Sequence, residues 1–238
     1  MHRTLADGCP ELIFHYRGRF RELAADNSGD WSFRAGLHGQ SARFRRFATG
    51  EAFGIFGVYL YPYVLPEWLG VPANVFSGQM LSLDELPAKD IHRLYDRMML
   101  AADNNRRLEM ICSYLGEQLG RARMIHPGIA ATLRQLLHRG NPLTVSAMAA
   151  DNFLSLRQFE RNFKIAAGCT PKLYARIARF QSVVQQYGGN FRSLSELAYE
   201  CGYYDQSHFI HEFRQFAGHD PKTFFSGKAE GAGWLDAG

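Results

Sequence analysis

Two short stretches of the sequence carry polar side chains of the types that contact the edges of DNA bases. Arginine can hold guanine through O6 and N7, glutamine can pair with adenine, and isoleucine can contact the methyl group of thymine. On a helix these side chains fall opposite aromatic residues, at Phe159 and Phe163 in the first stretch and at Phe209 and Phe213 in the second. The residues predicted to contact bases are Arg157, Glu160, Arg161, Gln206, Ser207, Ile210 and His211.

A second group of basic residues has the chemistry to hold the DNA backbone. Phosphate contacts position a protein on the duplex without reading its sequence. Residues 121–225 contain 13 Lys and Arg against seven Asp and Glu, whereas residues 1–120 contain 13 against 14. Basic charge confined to one half indicates a nucleic-acid partner, with a solvated basic face as the simpler alternative. The predicted phosphate contacts are Lys164, Lys172, Arg176, Arg179 and Arg214.

Both stretches belong to an internal repeat with a spacing of fifty residues. The superposed pairs are Phe159 with Phe209, Phe163 with Phe213, Gly168 with Gly218, Pro171 with Pro221, and Lys172 with Lys222. Each copy predicts a close helix pair, at about residues 144–167 and 193–217, whose second helix is capped by Ser155 or Asp205. Residues 171–187 predict one long linker helix. Any amphipathic helix has a polar face, but two copies with matched caps, aromatic residues and terminators favour two helix-turn-helix units.

The N-terminal half predicts a β-rich region with flanking helices. Apolar runs separated by Gly, Asn, Asp and Ser predict strands at residues 12–16, 31–37, 42–47 and 53–61. An apolar stripe over residues 108–119 predicts a helix that either mediates dimerisation or covers its own domain. The predicted fold class is therefore α+β: a β-rich N-terminal domain with flanking helices, then an all-α domain of two helix-turn-helix units joined by a long linker helix.

The turn at residues 126–128 marks the predicted domain boundary. It divides the chain into an N-terminal domain at residues 1–124, a helix-turn-helix domain at 125–226 and a flexible tail at 227–238. The aromatic residues of the N-terminal strands either fill a core, which is the favoured interpretation, or line a ligand pocket. They are Phe14, Tyr16, Trp31, Phe33, Phe53, Phe56, Tyr59 and Tyr61.

Motifs for catalysis, cofactor binding and metal binding are absent from the sequence. It has no G-x-S-x-G elbow, no phosphate-binding glycine loop and no H-E-x-x-H, and its four cysteines lie far apart. The reactive groups that an N-terminal enzyme could use stand at no recognisable catalytic spacing; they are His2, His15, His38, Cys9 and Glu51. We therefore predict a non-enzymatic protein with no catalytic residues, no cofactor and no metal site.

Alternative functions remain open at this stage. One is an enzymatic or small-molecule-binding N-terminal domain fused to a DNA-binding module, and another is a protein-interaction adaptor. The longest uncharged run, residues 53–66, is too short and too rich in proline to span a bilayer, and no signal peptide opens the chain. These features predict a cytoplasmic protein with no membrane partner.

The C-terminal motifs resemble those of the AraC/XylS family of bacterial transcription regulators over about residues 125–225. They are GCTP from Gly168, RIARFQ from Arg176, and GYYDQSHF from Gly202 followed by Phe213 and Arg214. The resemblance implies two reading helices in successive major grooves on one DNA face, preceded by a sensor-type domain for effector binding or oligomerisation. The implied partners are double-stranded promoter or operator DNA, RNA polymerase, a small-molecule effector and a second copy of the chain, all at the bacterial nucleoid.

Two positions depart from the family pattern. Phe153 occupies the first turn, where the family often has Gly, and this affects the backbone geometry expected there. His211 stands where Arg is frequent, whereas the first unit keeps Arg161. The contact made by the second unit is therefore expected to be weaker or pH-sensitive.

Overall fold

A computed structural model describes residues 1–119, 126–139 and 144–230 of the protein. Its order of elements confirms a β-rich N-terminal domain followed by a helical one. The strands are β1 (His2–Thr4), β2 (Glu11–Arg17), β3 (Arg21–Leu23), β4 (Ala35–His38), β5 (Arg45–Ala48), β6 (Gly54–Tyr59) and β7 (Met80–Ser82). The helices are α1 (Val64–Leu69), α2 (Ile91–Met99), α3 (Asn104–Leu119), α4 (Pro127–Arg139), α5 (Val145–Asp151), α6 (Leu156–Ala167), α7 (Pro171–Val184), α8 (Leu194–Glu200), α9 (Gln206–Ala217) and α10 (Pro221–Phe225).

The N-terminal strands form two antiparallel sheets. One has the order β1-β5-β3 and the other the order β6-β2-β4-β7. In the larger sheet Leu12 pairs with Leu37 on one side and with Val58 on the other. Leu12 and Phe14 alternate with more exposed neighbours along β2, so their side chains share the face that packs against α1, α2 and α3. This face forms the core of the N-terminal domain.

The strand predictions were right in position for β2 and β6 and less accurate elsewhere. The predicted strand at residues 31–37 is wrong over its first half, because β4 begins only at Ala35 and Trp31 makes an isolated bridge to Arg21. The strand predicted at residues 42–47 corresponds to β5, which begins only at Arg45. Strands β1, β3 and β7 were missed, since each has three residues and too little alternation to be detected.

Helix α3 corresponds to the apolar stripe at residues 108–119. Its buried residues Ile111 and Tyr114 join the N-terminal core, and α3 packs against α1 and α2. Leu108, in contrast, is exposed. The helix therefore serves its own domain, which was one of the two interpretations of the sequence.

The helical half contains two separate hydrophobic cores. The first unit packs Phe159 and Phe163 with residues of α4 and α5. The second packs Phe209 and Phe213 with residues of α8 and α10. Helix α7 contributes to both cores, through Tyr174 and Ala178 to the first and through Ile177 and Phe180 to the second. It therefore connects the two units as one continuous helix, as the sequence predicted, and ends at Val184 instead of 187.

The predicted domain boundary at residue 124 lies outside the described residues, so it stays a prediction. The predicted flexible tail also lies mostly outside them, at residues 231–238. Within the described part, Ala229 is buried in the core of the second unit, and the carbonyl oxygen of Glu230 lies 3.0 Å from His219 Nε2. Across the described ranges, no helix combines the length and apolar character needed to cross a membrane.

Candidate nucleic-acid interface

The first helix-turn-helix unit consists of α5, a short turn and α6. Thr144 caps α5 by accepting a hydrogen bond from the backbone N–H of Ala147. Ser155 caps α6 and forms a capping box with Gln158, which satisfies two N–H groups at the start of the helix. Gly168 ends α6 with a φ of 79°, a left-handed conformation that glycine adopts without strain.

The second unit repeats this arrangement through α8, a turn one residue longer, and α9. Ser193 caps α8, and Asp205 caps α9 by accepting a hydrogen bond of 2.8 Å from the N–H of His208. Gly218 ends α9 with a φ of 68°. The chain thus contains two helices of equal length with matched caps and terminators. The first residues of both helices are exposed.

The turn of the first unit places Phe153 in the left-handed region, with a φ of 54°. Hydrogen bonds from Phe153 N to Ala150 O and from Leu154 N to Ala149 O close this turn. The second unit makes the equivalent bonds at Gly202 and Tyr203, and Gly202 has a φ of 83°. The departure at Phe153 therefore preserves the turn geometry and adds backbone strain, because a side chain disfavours this region.

Replacing Phe153 with glycine should stabilise the protein. The left-handed conformation costs a residue with a side chain about 1–2 kcal/mol, and the greater unfolded-state entropy of glycine offsets about 0.5–1 kcal/mol of that gain. The ring itself is 97% exposed, so its removal loses little burial. We expect the free energy of unfolding to rise by about 0.5–1 kcal/mol in urea titrations. The control Phe153→Ala keeps the strain, and an equal rise in that variant would contradict the explanation.

The predicted base-contacting residues lie largely where the sequence placed them. On α6, Arg157, Glu160 and Arg161 are exposed. On α9, the exposed members are Gln206, Ser207 and His211. Ile210 differs from the prediction, because it is half-buried and packs against the core of the second unit. It can therefore present only part of its side chain to a ligand.

The predicted phosphate contacts fall into two groups. Lys164 and Lys172 are exposed and have no ion pair within the described residues. Arg214 is exposed but donates a 2.7 Å hydrogen bond to Asp220, and this bond holds the pKa of Asp220 below its usual value. Arg176 and Arg179 lie on α7, are half-buried and extend toward α9.

Glu212 explains the placement of the two α7 arginines. Its side chain is fully buried on α9, Arg176 donates to its Oε1, and Arg179 Nη2 lies 3.3 Å from its Oε2. Arg179 also donates to the carbonyl of Gly202, in the turn of the second unit. A buried carboxylate requires such partners because burial without them is very costly. The expectation that Arg176 and Arg179 hold phosphate stays a prediction; in this structure both guanidinium groups pair with Glu212.

Sequence reasoning missed Glu212. Its position offered a signal, since it stands between Phe209 and Phe213 on the side of α9 that faces the core. An acidic residue on a buried face needs a cationic partner, and α7 carries two arginines three residues apart. His208 Nε2, one helical turn before Glu212, lies 3.2 Å from its Oε1.

The N-terminal domain contacts the C-terminal ends of α6 and α9. The amide of Gln40 donates to the carbonyl of Ala167 over 3.0 Å, and the hydroxyl of Ser77 donates to that of Gly168 over 2.8 Å. At the end of α9, Arg3 donates to the carbonyl of Gly218 over 2.8 Å. Helix ends leave carbonyls without intrahelical partners, and here the other domain supplies the donors.

The two terminating glycines also permit this close approach. A Cβ atom on Gly168 would lie 1.6 Å from Gln40 Nε2, and one on Gly218 would lie 2.7 Å from the ring of Phe44. The same glycines therefore end the helices and admit the N-terminal domain. Nothing in the sequence pattern indicated this second role.

Burial raises the pKa of Cys9 and of Cys169 to about 12, which disfavours a reactive thiolate at either position. In the portion of the chain that the structure describes, no group of three or more His, Cys, Asp or Glu residues could hold a metal ion.

The fold and the paired polar helices define a helix-turn-helix protein with two units on one chain. Residues 148–227 match a family described as a helix-turn-helix domain, and residues 1–82 match a domain of unknown function, DUF6597. The matched C-terminal stretch contains α6 to α10, and the motifs within it resemble those of the AraC/XylS family.

Known relatives share this region. The HTH-type transcriptional activator RhaS of Salmonella arizonae is 30% identical over 103 residues, which are 41% of this chain and 37% of RhaS. RhaS of Escherichia coli strain SE11 is 29% identical over 91 residues, which are 38% of this chain and 33% of RhaS. The matched part thus spans only about a third of the length of these relatives.

A solved structure extends the likeness to both domains. ToxT from Vibrio cholerae O395, in its complex with (E)-4-(8-methylnaphthalen-1-yl)but-3-enoic acid, superposes with a TM-score of 0.52. The superposition covers 96% of this chain and 97% of ToxT at 10% sequence identity. The two proteins therefore share a two-domain fold.

Proposed function

We propose that the protein is a sequence-specific DNA-binding transcription regulator whose two recognition helices, α6 and α9, read adjacent major grooves. One observation carries the proposal: two equivalent helices expose polar faces suited to base edges, and each is backed by its own aromatic core. A recognition helix needs this combination of an exposed reading face and a rigid support. RhaS, which matches this chain over part of its length, is named a transcriptional activator, and this name agrees with the proposal.

The proposed contacts follow from side-chain exposure. On α6 the base contacts are Arg157, Glu160 and Arg161, and on α9 they are Gln206, Ser207 and His211, with the exposed part of Ile210. Lys164, Lys172 and Arg214 are the proposed phosphate contacts. Arg176 and Arg179 pair with Glu212 in this structure.

The wider setting is part of the same proposal. The protein acts in the bacterial cytoplasm on nucleoid DNA, without enzymatic activity, and its N-terminal domain controls DNA binding. Its hydrogen bonds to the ends of α6 and α9 supply a physical route for that control, because a shift of this domain would release donors from both helices. RNA polymerase, a small effector and a second copy of the chain are the proposed further partners.

Selection of bound sequences from a random duplex library tests the proposal directly. We expect an enriched site with two conserved clusters of base pairs, because each recognition helix covers one groove. Recovery of sequences no different from the starting library, at low and at moderate salt, would contradict sequence-specific reading. A site with one cluster only would contradict the use of both helices.

Lys172→Ala should weaken DNA binding equally for all sequences. A phosphate contact releases bound counterions, so its loss should reduce the slope of log affinity against log salt by about 1. Fluorescence anisotropy with a selected and a scrambled duplex, over a range of salt, measures this slope. The control is Lys89→Ala, an exposed lysine of the N-terminal domain, which should leave the slope unchanged. A change in base preference without a change in slope would show that Lys172 reads sequence instead.

A further inference from the structure

A cleft of about 800 Å³ opens beside the end of strand β2 in the N-terminal domain. Its walls come from the end of β2 and the following turn, from Trp31 and Arg34, and from the C-terminal half of α2. All of its lining residues belong to the N-terminal half of the chain, so the cleft is separate from the proposed DNA interface.

Three arginines line this cleft without an acidic partner. Arg17, Arg19 and Arg34 are exposed, and across the described residues none of their guanidinium groups has a hydrogen bond or an ion pair. Two carboxylates, Glu51 and Asp96, also line the cleft, but neither lies within ion-pair distance of these arginines. The cleft therefore has a surplus of positive charge, and planar guanidinium groups match the geometry of carboxylate and phosphate.

A buried histidine adds an unpaired polar group to the same cleft. Ser32 Oγ accepts a hydrogen bond from the backbone N–H of Phe20 and lies 3.5 Å from His15 Nε2. His15 is 7% exposed, and its Nδ1 has no partner in the described part of the chain. A polar ligand atom that reaches this nitrogen would satisfy it.

Burial, and secondarily the charge of Arg19, lower the pKa of His15. This shift favours the neutral form of the ring near pH 7.

Exposed apolar surface borders the charged part of the cleft. Trp31 is 53% exposed and Leu100 is 87% exposed, and both line the cleft. The guanidinium of Arg19 lies 5.7 Å from the centre of the Trp31 ring, so the cationic and aromatic surfaces are neighbours. Such a pairing suits a ligand that has a charged end and a flat apolar body.

We propose that this cleft binds a small organic anion, with its carboxylate or phosphate on the arginines and a flat ring against Trp31. Arg19 and Arg34 hold the anionic group, and His15 supplies a further polar contact from the wall of the cleft. Binding in the cleft stands independently of the proposed function, whereas any effect of the ligand on DNA rests on it.

Isothermal titration calorimetry with the full chain tests the proposal. The probes are 1-naphthoate and 1-naphthyl phosphate, which distinguish the two anionic groups, and the uncharged 1-naphthamide. We expect at least one anion to bind about tenfold more tightly than the amide, since a charge-assisted contact of this size corresponds to about a factor of ten. Equal affinity for all three, or no heat of binding from either anion at millimolar concentration, would overturn the proposal.

Variants locate the site. Arg19→Gln and Arg34→Gln should each weaken binding of the preferred anion about tenfold without affecting the amide, because each removes one charged contact. Arg93→Gln, an exposed arginine of α2 outside the cleft, is the matched control and should bind as the parent does. Unchanged affinity in both cleft variants, each with the parent's thermal unfolding, would place the probe elsewhere and contradict the assignment.

A DNA measurement separates this inference from the proposed function. With the preferred anion bound, the affinity for a selected duplex should change if the N-terminal domain controls DNA binding. Absence of DNA binding in every condition would contradict the proposed function and leave calorimetric binding in the cleft intact. Normal DNA binding without any anion binding would contradict the assignment of the cleft and leave the proposed function intact.

Discussion

Replacing Glu212 with alanine should lower the free energy of unfolding by about 3–5 kcal/mol. Removing one member of a buried ion pair leaves the other charge without compensation, and this cost is typical of such changes. Arg176 and Arg179 both direct their guanidinium groups at Glu212, and each also lies over an aromatic ring, Phe216 for the first and Tyr203 for the second. Urea titration followed by circular dichroism measures the loss.

The control for this variant is Glu200→Ala. Glu200 is exposed at the end of α8, so its removal should change stability by less than about 0.5 kcal/mol. Equal midpoints for the two variants would show that the carboxylate of Glu212 is not needed to neutralise the α7 arginines. Glu212→Gln keeps the shape of the side chain without its charge and should fall between the parent and the alanine variant.

Arg161→Ala and Gln206→Ala should alter base preference at two different places in the DNA site. Each should cost about 1–3 kcal/mol against the preferred base, because each removes a side chain able to contact one base through two hydrogen bonds. Arg161 lies on α6 and Gln206 on α9, so the affected clusters should be separated by about 10 base pairs, one turn of the duplex. Competition with point-mutated sites measures both effects.

Each of these variants serves as the control for the other. The base pairs affected by Arg161→Ala should be unaffected by Gln206→Ala, and the double variant should show additive losses because the two helices belong to separate units. Disturbance of the same base pairs by both variants would contradict a reading mode in two grooves. Loss of affinity without any change in preference would assign both residues to the backbone.

Local signals explain why the helical half was predictable from the sequence. The caps Ser155 and Asp205, the core phenylalanines and the glycine terminators act within one helix or one turn. Each feature occurs in both copies of the repeat, so each copy supported the interpretation of the other. The strands β1, β3 and β7 carry no comparable local signal. Their pairing depends on partners far along the chain, as in the pairing of His2 with Phe47.

The candidate site was only partly predictable for the same reason. Exposure of the polar faces follows from helical periodicity, and it was predicted well for Arg161 and Gln206. Arg176 pairs with Glu212, which is 36 residues away along the chain. The contact of Gln40 with Ala167 spans 127 residues. No spacing rule connects such residues, since only the tertiary fold brings them together.

The hydrogen bond between Arg3 and Gly218 has a consequence for biosynthesis. Leu5 and Ala6 pack in the core of the second unit, and Ala6 N donates to Phe216 O. The ribosome makes this N-terminal segment long before α9, and the interval over 215 residues is about 10–40 s at common rates of synthesis. During that time the apolar side chain of Leu5 has no partner from α9. In a nascent chain, therefore, the formation of α9 and the pairing of Leu5 and Ala6 with the second unit belong to the same late step, and a chain stalled before α9 leaves this segment without that partner.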